Sequence, residues 1–397
     1  MMSPRPRICQ IARVPGARRR IYLDHNATAP LDPRVRAAVI EALDACRGNP
    51  SSIHQEGREA RERVEVARRQ VAGLVGGDPD EIVFTSGGTE ADHLGVTALY
   101  RLGRARGLPA RVLVAPIEHP AVLGAVAALP GAEVARLRVD EAGQIDLDHL
   151  ERALAGGAAL VAVAAANHEL GTVQDVAAIA RLCGAAGALL HVDAVQAAGR
   201  LAIDARALGA DALAVSGHKI HGPPGAGALW VRREHVVEPV HTGGHQERER
   251  RPGTENLPGI VGLGAAAAIA AGSLEEVRAH LAAVGGALED GVAALPGARI
   301  HARGAPRVPG VTSAAFDGAP GELVVQALDL AGVAASTGAA CTSGTVAASP
   351  VLLALGLSRA RALEAVRLSA GRGTTPEEVG AVLELLPGIV ERIRRFA

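Results

Sequence analysis

Residues 212–225, ALAVSGHKIHGPPG, decide the fold. The apolar run 212–215 predicts a buried strand, and the polar residues Ser216-Gly217-His218-Lys219 follow directly at its end. Lys219 is the only lysine of the chain: lysine and arginine total 41, so the other 40 are arginine. A lysine amine can lose its proton and form a Schiff base, whereas arginine stays protonated. Lys219 is therefore predicted to be a catalytic amine; a surface lysine retained by chance is the alternative.

Four further apolar runs predict strands at residues 82–85, 112–114, 160–163 and 188–192. Segments with helical patterns separate them, and this alternation predicts an α/β fold with a mostly parallel sheet. Ligands of such sheets bind beyond the carboxyl ends of the strands. A polar cluster stands at each of these ends, and the clusters contain Gly88, Thr89, His119, Asn167, His168, Asp193 and Gln196.

A Schiff-base lysine, an anion cradle and a buried carboxylate together predict a site for pyridoxal phosphate (PLP). The phosphate needs backbone N–H groups and hydroxyls, and the residues placed for it are Gly88, Thr89, Ser216 and His218. Asp193 is predicted to face the pyridine nitrogen, Gln196 the phenolic oxygen and His119 the ring face. Helix caps are the alternative roles for Asp193 and His119. A dinucleotide site is disfavoured because the chain lacks the G-x-G-x-x-G fingerprint.

Cys341 and Arg367 are further candidates on the C-terminal side of the chain. Cys341 stands in a stretch of Gly, Ala, Ser and Thr, which suits a thiolate nucleophile better than a packed core cysteine. Arg367 stands in a short apolar strand, where an unpaired guanidinium is costly. It is predicted to clamp a substrate carboxylate; a structural salt bridge is the alternative.

Composition and charge exclude several classes of protein. The net charge is −1, so no global field favours nucleic acid or a membrane surface as a partner. The chain contains no apolar run of about 20 residues, so no membrane-spanning helix is predicted. The cysteines Cys9, Cys46, Cys183 and Cys341 form no C-x-x-C pair, which argues against an intrinsic metal site or a disulfide framework. This cysteine usage predicts a reducing, cytoplasmic location.

Eight stretches resemble the cysteine desulfurases of the NifS/IscS type, in the class V aminotransferase-like group of fold-type I PLP enzymes. They occur in the family's order, and the resemblance covers about residues 21–390. The stretches are YLDHNAT (22–28), GNPSSIH (48–54), TSGGTE (85–90), EHPAVL (118–123), HVDAVQ (191–196), SGHK (216–219), GTEN (253–256) and ACTSG (340–344).

The resemblance implies a PLP-dependent reaction that removes sulfur from L-cysteine and leaves L-alanine. It implies Lys219 as the cofactor-binding lysine, His119 as an aid to proton transfer and Cys341 as the persulfide carrier. Arg367 and Asn167 are predicted to contact the substrate. The family also implies a homodimer in which Thr254 reaches the phosphate of the partner subunit's cofactor.

The persulfide would pass to an acceptor protein, such as an iron–sulfur scaffold, for cluster or other sulfur-compound assembly. Cys341 could then transiently ligate an iron–sulfur cluster, although no intrinsic metal is predicted. A selenocysteine lyase and another class V aminotransferase-like enzyme are the alternatives. A non-enzymatic scaffold is disfavoured because the lysine, the aspartate and the cysteine are all present.

Three positions depart from the family pattern. His168 stands where the family usually has the second of two asparagines, and His93 stands where asparagine is frequent. The loop at residues 243–249 reads GGHQERE in place of the usual GGGQERG. These changes are expected to affect substrate preference and rate more than the class of reaction.

The domain organisation is predicted as follows. Residues 1–20 contain six arginines and no acid, and they predict a disordered basic tail, with a targeting segment as the alternative. Residues 21–260 are predicted to form a large PLP-binding domain, of which the part near 21–35 packs on the small domain. Residues 261–397 are predicted to form a small α+β domain that carries the Cys341 loop. A single long helix from Leu257 to Leu295 is expected to bridge the two.

Overall fold

The computed structural model describes residues 20–45, 47–338 and 347–396. Nearly all of the predicted basic tail lies outside these ranges, as do Cys46 and Cys341. The strands are β1 (Ile21–Tyr22), β2 (Ile82–Thr85), β3 (Arg111–Val114), β4 (Glu133–Arg136), β5 (Leu160–Ala164), β6 (Leu189–Asp193), β7 (Ala212–Ser216), β8 (Gly227–Val231), β9 (Ala298–Ile300), β10 (Val311–Phe316), β11 (Val333–Ala334) and β12 (Ala365–Ser369).

Helices cover both sides of the strands, and short 3₁₀ turns at Pro79–Glu81, Gly217–Lys219 and Gln246–Glu249 connect some of them. The α-helices are α1 (Pro33–Ala45), α2 (Gln55–Val75), α3 (Gly88–Ala105), α4 (Pro120–Ala127), α5 (Leu147–Leu154), α6 (Val176–Ala186), α7 (Leu257–Gly272), α8 (Leu274–Ala293), α9 (Gly321–Leu330), α10 (Pro350–Ala354), α11 (Arg359–Ala362) and α12 (Pro376–Phe396).

The main sheet has seven strands in the order β2-β8-β7-β6-β5-β3-β4. Strand β8 runs antiparallel to both of its neighbours, and the other pairs are parallel. The predicted α/β fold with a mostly parallel sheet is therefore confirmed, and its seven strands are the number that the resemblance to fold-type I enzymes implies. Strands β5, β6 and β7 are buried along their whole length, as expected of strands covered by helices on both faces.

Two strands of this sheet were not predicted. Strand β8 follows directly on the glycine- and proline-rich residues 222–225, whose turn signals hide its five-residue apolar run. Strand β4 has the sequence EVAR and is largely exposed at the edge of the sheet. Charged residues are common on edge strands, so the apolar pattern is weak there.

The long bridging helix predicted from Leu257 to Leu295 is wrong. Two helices, α7 and α8, replace it, and their axes bend by 74° at Ser273. The break falls at a Gly-Ser pair, where Ser273 Oγ turns back to donate a hydrogen bond to the carbonyl oxygen of Ile269 at 2.7 Å. Glu275 and Glu276 then occupy the first turn of α8, a position that the helix dipole favours for acids.

The apolar clusters change at this bend. Buried residues of α7, such as Leu263 and Ala267, belong to the cluster that packs on the main sheet. Buried residues of α8, such as Leu281 and Leu288, pack instead with the three-stranded antiparallel sheet β12-β10-β9. The division near residue 260 stays a prediction; in the apolar packing, the change occurs at Ser273.

The N-terminal segment joins this second cluster. Strand β1 pairs in parallel with β11, and Leu23 is fully buried among the residues of the smaller sheet. The residues that follow Leu23 cross to the main sheet, where the carbonyl of His218 accepts a hydrogen bond from the N–H of Ala29 at 2.8 Å. The segment therefore ties the two sheets together beside Lys219.

Over the described residues, no single helix is long and apolar enough to span a membrane. Helices α7 and α8 meet the length and composition criteria only as a pair, across their 74° bend.

Candidate active site

A cavity of about 370 Å³ opens at the carboxyl edge of the main sheet. Its volume lies in the range of small-molecule and cofactor sites. The structure brings most of the predicted site residues to its walls. These are Gly88, Thr89, His119, His168, Asp193, Gln196, Ser216, His218, Lys219 and Arg367.

Strand register explains why residues distant in sequence meet here. Asp193 is the last residue of β6 and Ser216 the last residue of β7, and these strands are parallel neighbours in the sheet. A single 3₁₀ turn after β7 then carries Lys219 back over the strand ends. Since parallel strands end at the same edge, the predicted convergence of these polar clusters follows from the topology.

Lys219 is held by the backbone of the N-terminal segment. Its Nζ donates to the carbonyl oxygens of Asn26 at 2.5 Å and Ala27 at 2.8 Å. Burial lowers the pKa of Lys219 to about 8, and the nearby charges of Arg367 and Arg200 act in the same direction. The amine can therefore release its proton close to neutral pH, as a Schiff-base lysine must.

Asp193 is a buried carboxylate with a single hydrogen bond among the described residues, from the N–H of Val195 to Oδ1 at 2.9 Å. Burial raises the pKa of Asp193 to about 7, and the charge of Asp92 raises it further. The alternative role as a helix cap is not realised, because the bond closes a turn and residues 194–200 form no regular helix. A cation in the cavity would stabilise the ionised form.

His119 combines both of the roles that were left open for it. It is the N-cap of α4, where Nδ1 accepts a hydrogen bond from the N–H of Ala121 at 3.1 Å. This bond leaves the neutral ring's proton on Nε2. The ring also lines the cavity, in an edge-on contact with His168 at 5.2 Å between centroids. Burial, together with the charge of Lys219, lowers the pKa of His119.

The other end of the cavity is formed by the N-terminus of α3. Gly88 opens this helix, and a Cβ built there would lie 2.9 Å from Val195 Cγ2, so the close approach requires glycine. Unpaired N–H groups of a first helical turn favour an anion. Ser216 Oγ and Gln196 Oε1 are buried without a hydrogen-bond partner among the described residues. The polar groups of PLP would fit these donors and acceptors.

Arg367 makes the structural salt bridge that was the alternative to a substrate clamp. Its Nη2 lies 2.9 Å from Asp24 Oδ1, and its Nη1 donates to the carbonyl oxygen of His168 at 2.9 Å. The guanidinium still lines the cavity, and its Nε has no partner among the described residues. A substrate carboxylate can therefore be bound by this side chain if it adds to, or replaces, the contact with Asp24.

Comparisons with known proteins place this geometry in a family. The model of the aminotransferase class-V family matches residues 21–382. A cysteine desulfurase of Trichormus azollae is 42% identical over 380 residues, which are 95% of this chain and 94% of that protein. The chain belongs to the aminotransferase class-V family. The resemblance stated from the sequence motifs is thereby confirmed.

Solved structures of the same kind share the fold of this class-V chain. The X-ray structure of a NifS-like protein from Rickettsia africae ESF-5 is 31% identical, with a TM-score of 0.85 over 94% of this chain and 99% of that one. SspA in complex with cysteine is 28% identical, with a TM-score of 0.78 over 89% of this chain and 100% of that one.

Two predicted site residues of the class-V chain, Asn167 and Thr254, do not line the cavity. Asn167 is buried in backbone contacts: Nδ2 donates to the carbonyl of Ile117, and Oδ1 accepts the N–H groups of Glu169 and Leu170, each at 2.9 Å. Its predicted substrate contact is therefore corrected to a role in shaping the loop. Thr254 is exposed and is not among the described residues that line the cavity. Cys341 lies outside the described residues.

Asn26 is a site residue that the sequence reasoning quoted but gave no role. Its carbonyl oxygen accepts from Lys219 and Gln196, its Oδ1 from Arg200, and its Nδ2 donates to the carbonyl of His168. It therefore joins four cavity-side segments of the class-V fold. The signal was its position in the motif 22–28, a polar turn that follows β1.

Cys183 and the loop at 243–249 lie away from the chemistry. Cys183 is buried, and burial raises the pKa of its thiol to about 12, which makes it an inert core cysteine. In the loop, Glu247 is buried and forms an ion pair of 2.7 Å with Arg68. This loop therefore braces the main sheet.

Proposed function

We propose that the protein is a PLP-dependent cysteine desulfurase, which converts L-cysteine to L-alanine and leaves a persulfide on Cys341. The observation that carries the proposal is the Lys219 amine, whose pKa is lowered to about 8 in a cavity that also contains the buried carboxyl of Asp193. The names of the relatives, and the bound cysteine of one structural neighbour, support this substrate.

The cavity residues fit PLP by the chemistry of their polar groups. The N-terminus of α3 at Gly88 and Thr89, with Ser216 and His218, would hold the phosphate. Asp193 would bind the pyridine nitrogen, and Gln196 and His119 would contact the ring. When bound, PLP supplies an electron sink that makes the Cα–H of an amino acid acidic.

The reaction assigns one task to each side chain. Arg367 binds the substrate carboxylate and orients the amino acid. Lys219 takes the Cα proton, and His119, uncharged because its pKa is lowered, moves a proton at Nε2. The Cys341 thiolate attacks the substrate sulfur, so that an S–S bond forms and the C–S bond breaks. A proton delivered to Cβ and the return of a proton from Lys219 to Cα then complete alanine, and the sulfur stays on Cys341 as a persulfide.

The proposal includes the assembly and the fate of the sulfur. The protein acts as a homodimer in which the exposed Thr254 reaches the cofactor site of the partner subunit. An acceptor protein takes the persulfide sulfur for iron–sulfur cluster or other sulfur-compound assembly in the cytoplasm. The exposure of Thr254 supports the homodimer, because its hydroxyl takes no part in the cavity of its own chain and is available to the cavity of the partner subunit.

Incubation of the purified, PLP-loaded protein with L-cysteine tests the reaction. Alanine and one protein-bound persulfide per chain are expected from the wild type. Cys341→Ala should form no persulfide while it keeps the visible absorbance of the cofactor. Cys183→Ala is the matched control and should retain turnover, since Cys183 is a buried core residue. Turnover by Cys341→Ala at the wild-type rate would refute the desulfurase assignment and favour an aminotransferase.

A further inference from the structure

Glu169 is a buried carboxyl that the proposed reaction does not use. It lies in the loop after β5 and is 2% exposed. The side chain of Asn167 accepts its N–H at 2.9 Å, and the carbonyl of Asn167 accepts the N–H of Gly171 at 3.0 Å. These bonds fix the loop, so the Glu169 carboxyl has a defined position inside the protein.

One contact of this carboxyl lies after residues 339–346. Ser349 Oγ donates to Glu169 Oε2 at 2.5 Å, and Ser349 is itself only 2% exposed. The same hydroxyl accepts the N–H of Leu352 at 3.1 Å and so caps α10. Ser349 is therefore held on one side by its own helix and on the other by Glu169.

The second contact lies before residues 339–346. A Cβ built on Gly338 would lie 2.3 Å from Glu169 Oε2. A carboxyl oxygen cannot come so close to a methyl group, so the backbone of Gly338 lies against the carboxyl, and a larger residue there would displace it. Glu169 thus contacts the chain on both sides of the segment that contains Cys341.

The same region connects to the cavity wall. Ser336, two residues before Gly338, exchanges backbone hydrogen bonds with Arg367 at 2.7 and 3.2 Å. His168, which precedes Glu169 and lines the cavity, has its Nε2 3.6 Å from Glu169 Oε1. A shift of the Glu169 carboxyl would therefore change the start and the return of the Cys341 segment relative to the substrate site.

We propose that Glu169 is a positioning residue for sulfur transfer, which sets the two ends of the Cys341 segment relative to the cavity. The proposal rests on the proposed function of Cys341 as the persulfide carrier. It separates two parts of the reaction. The Cα proton transfer uses the cavity residues without Cys341, whereas persulfide formation also needs Cys341 at the substrate sulfur.

Two variants remove the contact by different routes, and each has a matched control. Glu169→Gln keeps the size of the side chain, and its control is Glu81→Gln, a buried carboxyl that bonds Trp230 at 2.9 Å far from the cavity. Ser349→Ala also removes a helix cap, so its control is Ser358→Ala, which removes only the cap of α11. Because both variants break one contact, their effects should not add in the double variant.

Two rates are measured on each PLP-loaded variant. Exchange of the Cα proton of L-alanine with D₂O reports the chemistry that needs no Cys341. Single-turnover formation of the Cys341 persulfide from L-cysteine reports sulfur transfer. Misplacement of a reacting group by about 1 Å can cost up to roughly 100-fold in rate, so we expect both variants to slow persulfide formation at least tenfold.

The ratio of the rate of persulfide formation to the rate of proton exchange tests the positioning role of Glu169. We expect proton exchange to stay within about twofold in Glu169→Gln and Ser349→Ala, since neither side chain lines the cavity that contains Lys219. The two controls should leave both rates unchanged. Equal falls in both rates, or persulfide formation at the wild-type rate, would overturn the positioning role. Failure of the proposed function would look different, because the wild type itself would then form no persulfide on Cys341.

Discussion

Two buried charge sites beside the main sheet are built in opposite ways. In the brace, formed by Arg68 and Glu247, two hydrogen bonds of 2.7 and 2.8 Å join the guanidinium to the carboxylate. The carboxylate also accepts the N–H of Phe84 at 2.8 Å. In the cavity, by contrast, the side chains of Lys219 and Asp193 each bond only to backbone groups within the described ranges of the chain.

The difference appears in the direction of the pKa shifts. Burial acts to lower the pKa of Arg68, but the hydrogen bonds and the charge of Glu247 more than offset it, so the pKa is raised and the pair stays charged. In the cavity, burial lowers the pKa of Lys219 to about 8 and raises that of Asp193 to about 7. A paired buried charge stabilises the fold, whereas an incompletely paired one remains able to titrate and to bind a ligand.

The largest expected effect comes from replacing the lysine of the cavity by arginine, the basic residue of the brace. Lys219→Arg should abolish alanine formation from L-cysteine, because a guanidinium keeps its proton and forms no Schiff base. Arg68→Lys is the control, and it should retain turnover. The readouts are alanine and the urea midpoint, which shows that both variants fold. Alanine formation by Lys219→Arg within about tenfold of the wild type, a barrier change of only about 1.4 kcal/mol, would contradict the catalytic role.

A change to the brace should instead lower the free energy of unfolding of the protein. Glu247→Gln leaves the Arg68 guanidinium buried beside a neutral partner, and removal of one member of a buried pair costs about 3 kcal/mol of unfolding free energy. Urea denaturation measures this loss. Glu65→Gln removes the other, partly exposed partner of Arg68 and should cost less than about 1 kcal/mol. Equal losses in the two variants would mean that burial does not distinguish the brace.

The main sheet could be predicted because buried parallel strands are continuous apolar runs. The prediction failed where that signal was weak or shared: β8 is hidden behind turn residues, and β4 is an exposed edge strand. Apolar composition likewise merged α7 and α8, because a change of direction at Ser273 depends on what each helix packs against. Tertiary packing decided these elements, and local pattern did not.

The cavity was predicted well where a side chain follows directly on a strand end, as Asp193 and Lys219 do. It was predicted poorly where a residue bonds to a partner that is distant in sequence. Asn26 lies 193 residues from Lys219 in sequence, yet its carbonyl holds the amine. Asn167 next to His168 looked equally available, but its amide is used by the loop's own backbone. Such contacts have no periodicity, so the sequence alone cannot assign them.

A third prediction tests whether the Asp193 carboxyl lacks the close pairing that joins Arg68 and Glu247 in the brace. Its folded pKa of about 7 lies above the usual value of 3.8 for an aspartate, so the folded protein binds this proton more tightly. Stability of the PLP-free protein should therefore fall as the pH rises from about 4 to 7, by at most roughly 1.4 kcal/mol per pH unit from this group. Asp193→Asn should flatten that slope in urea denaturation. An unchanged slope would mean that Asp193 is already ionised in the folded state.

The smallest expected effect comes from His168, at the position where the resemblance to the family led us to expect asparagine. Burial lowers the pKa of His168 well below its ordinary value, and the charges of His119, Arg367 and Lys219 act in the same direction. The ring is therefore neutral at working pH and can contribute one neutral hydrogen bond towards the cavity, which asparagine can also make. His168→Asn should change alanine formation by roughly fivefold or less, the worth of one such bond.

The pH profile separates this view of His168 from a titrating one. A neutral imidazole contributes no proton between about pH 5 and 8, so the acid limb of activity should coincide in His168→Asn and the wild type. A shifted acid limb in the variant would show that His168 does titrate in the loaded enzyme. His168 would then be a further titratable group of the cavity, beside Lys219 and Asp193. It would differ from the Arg68–Glu247 brace in the same way as they do.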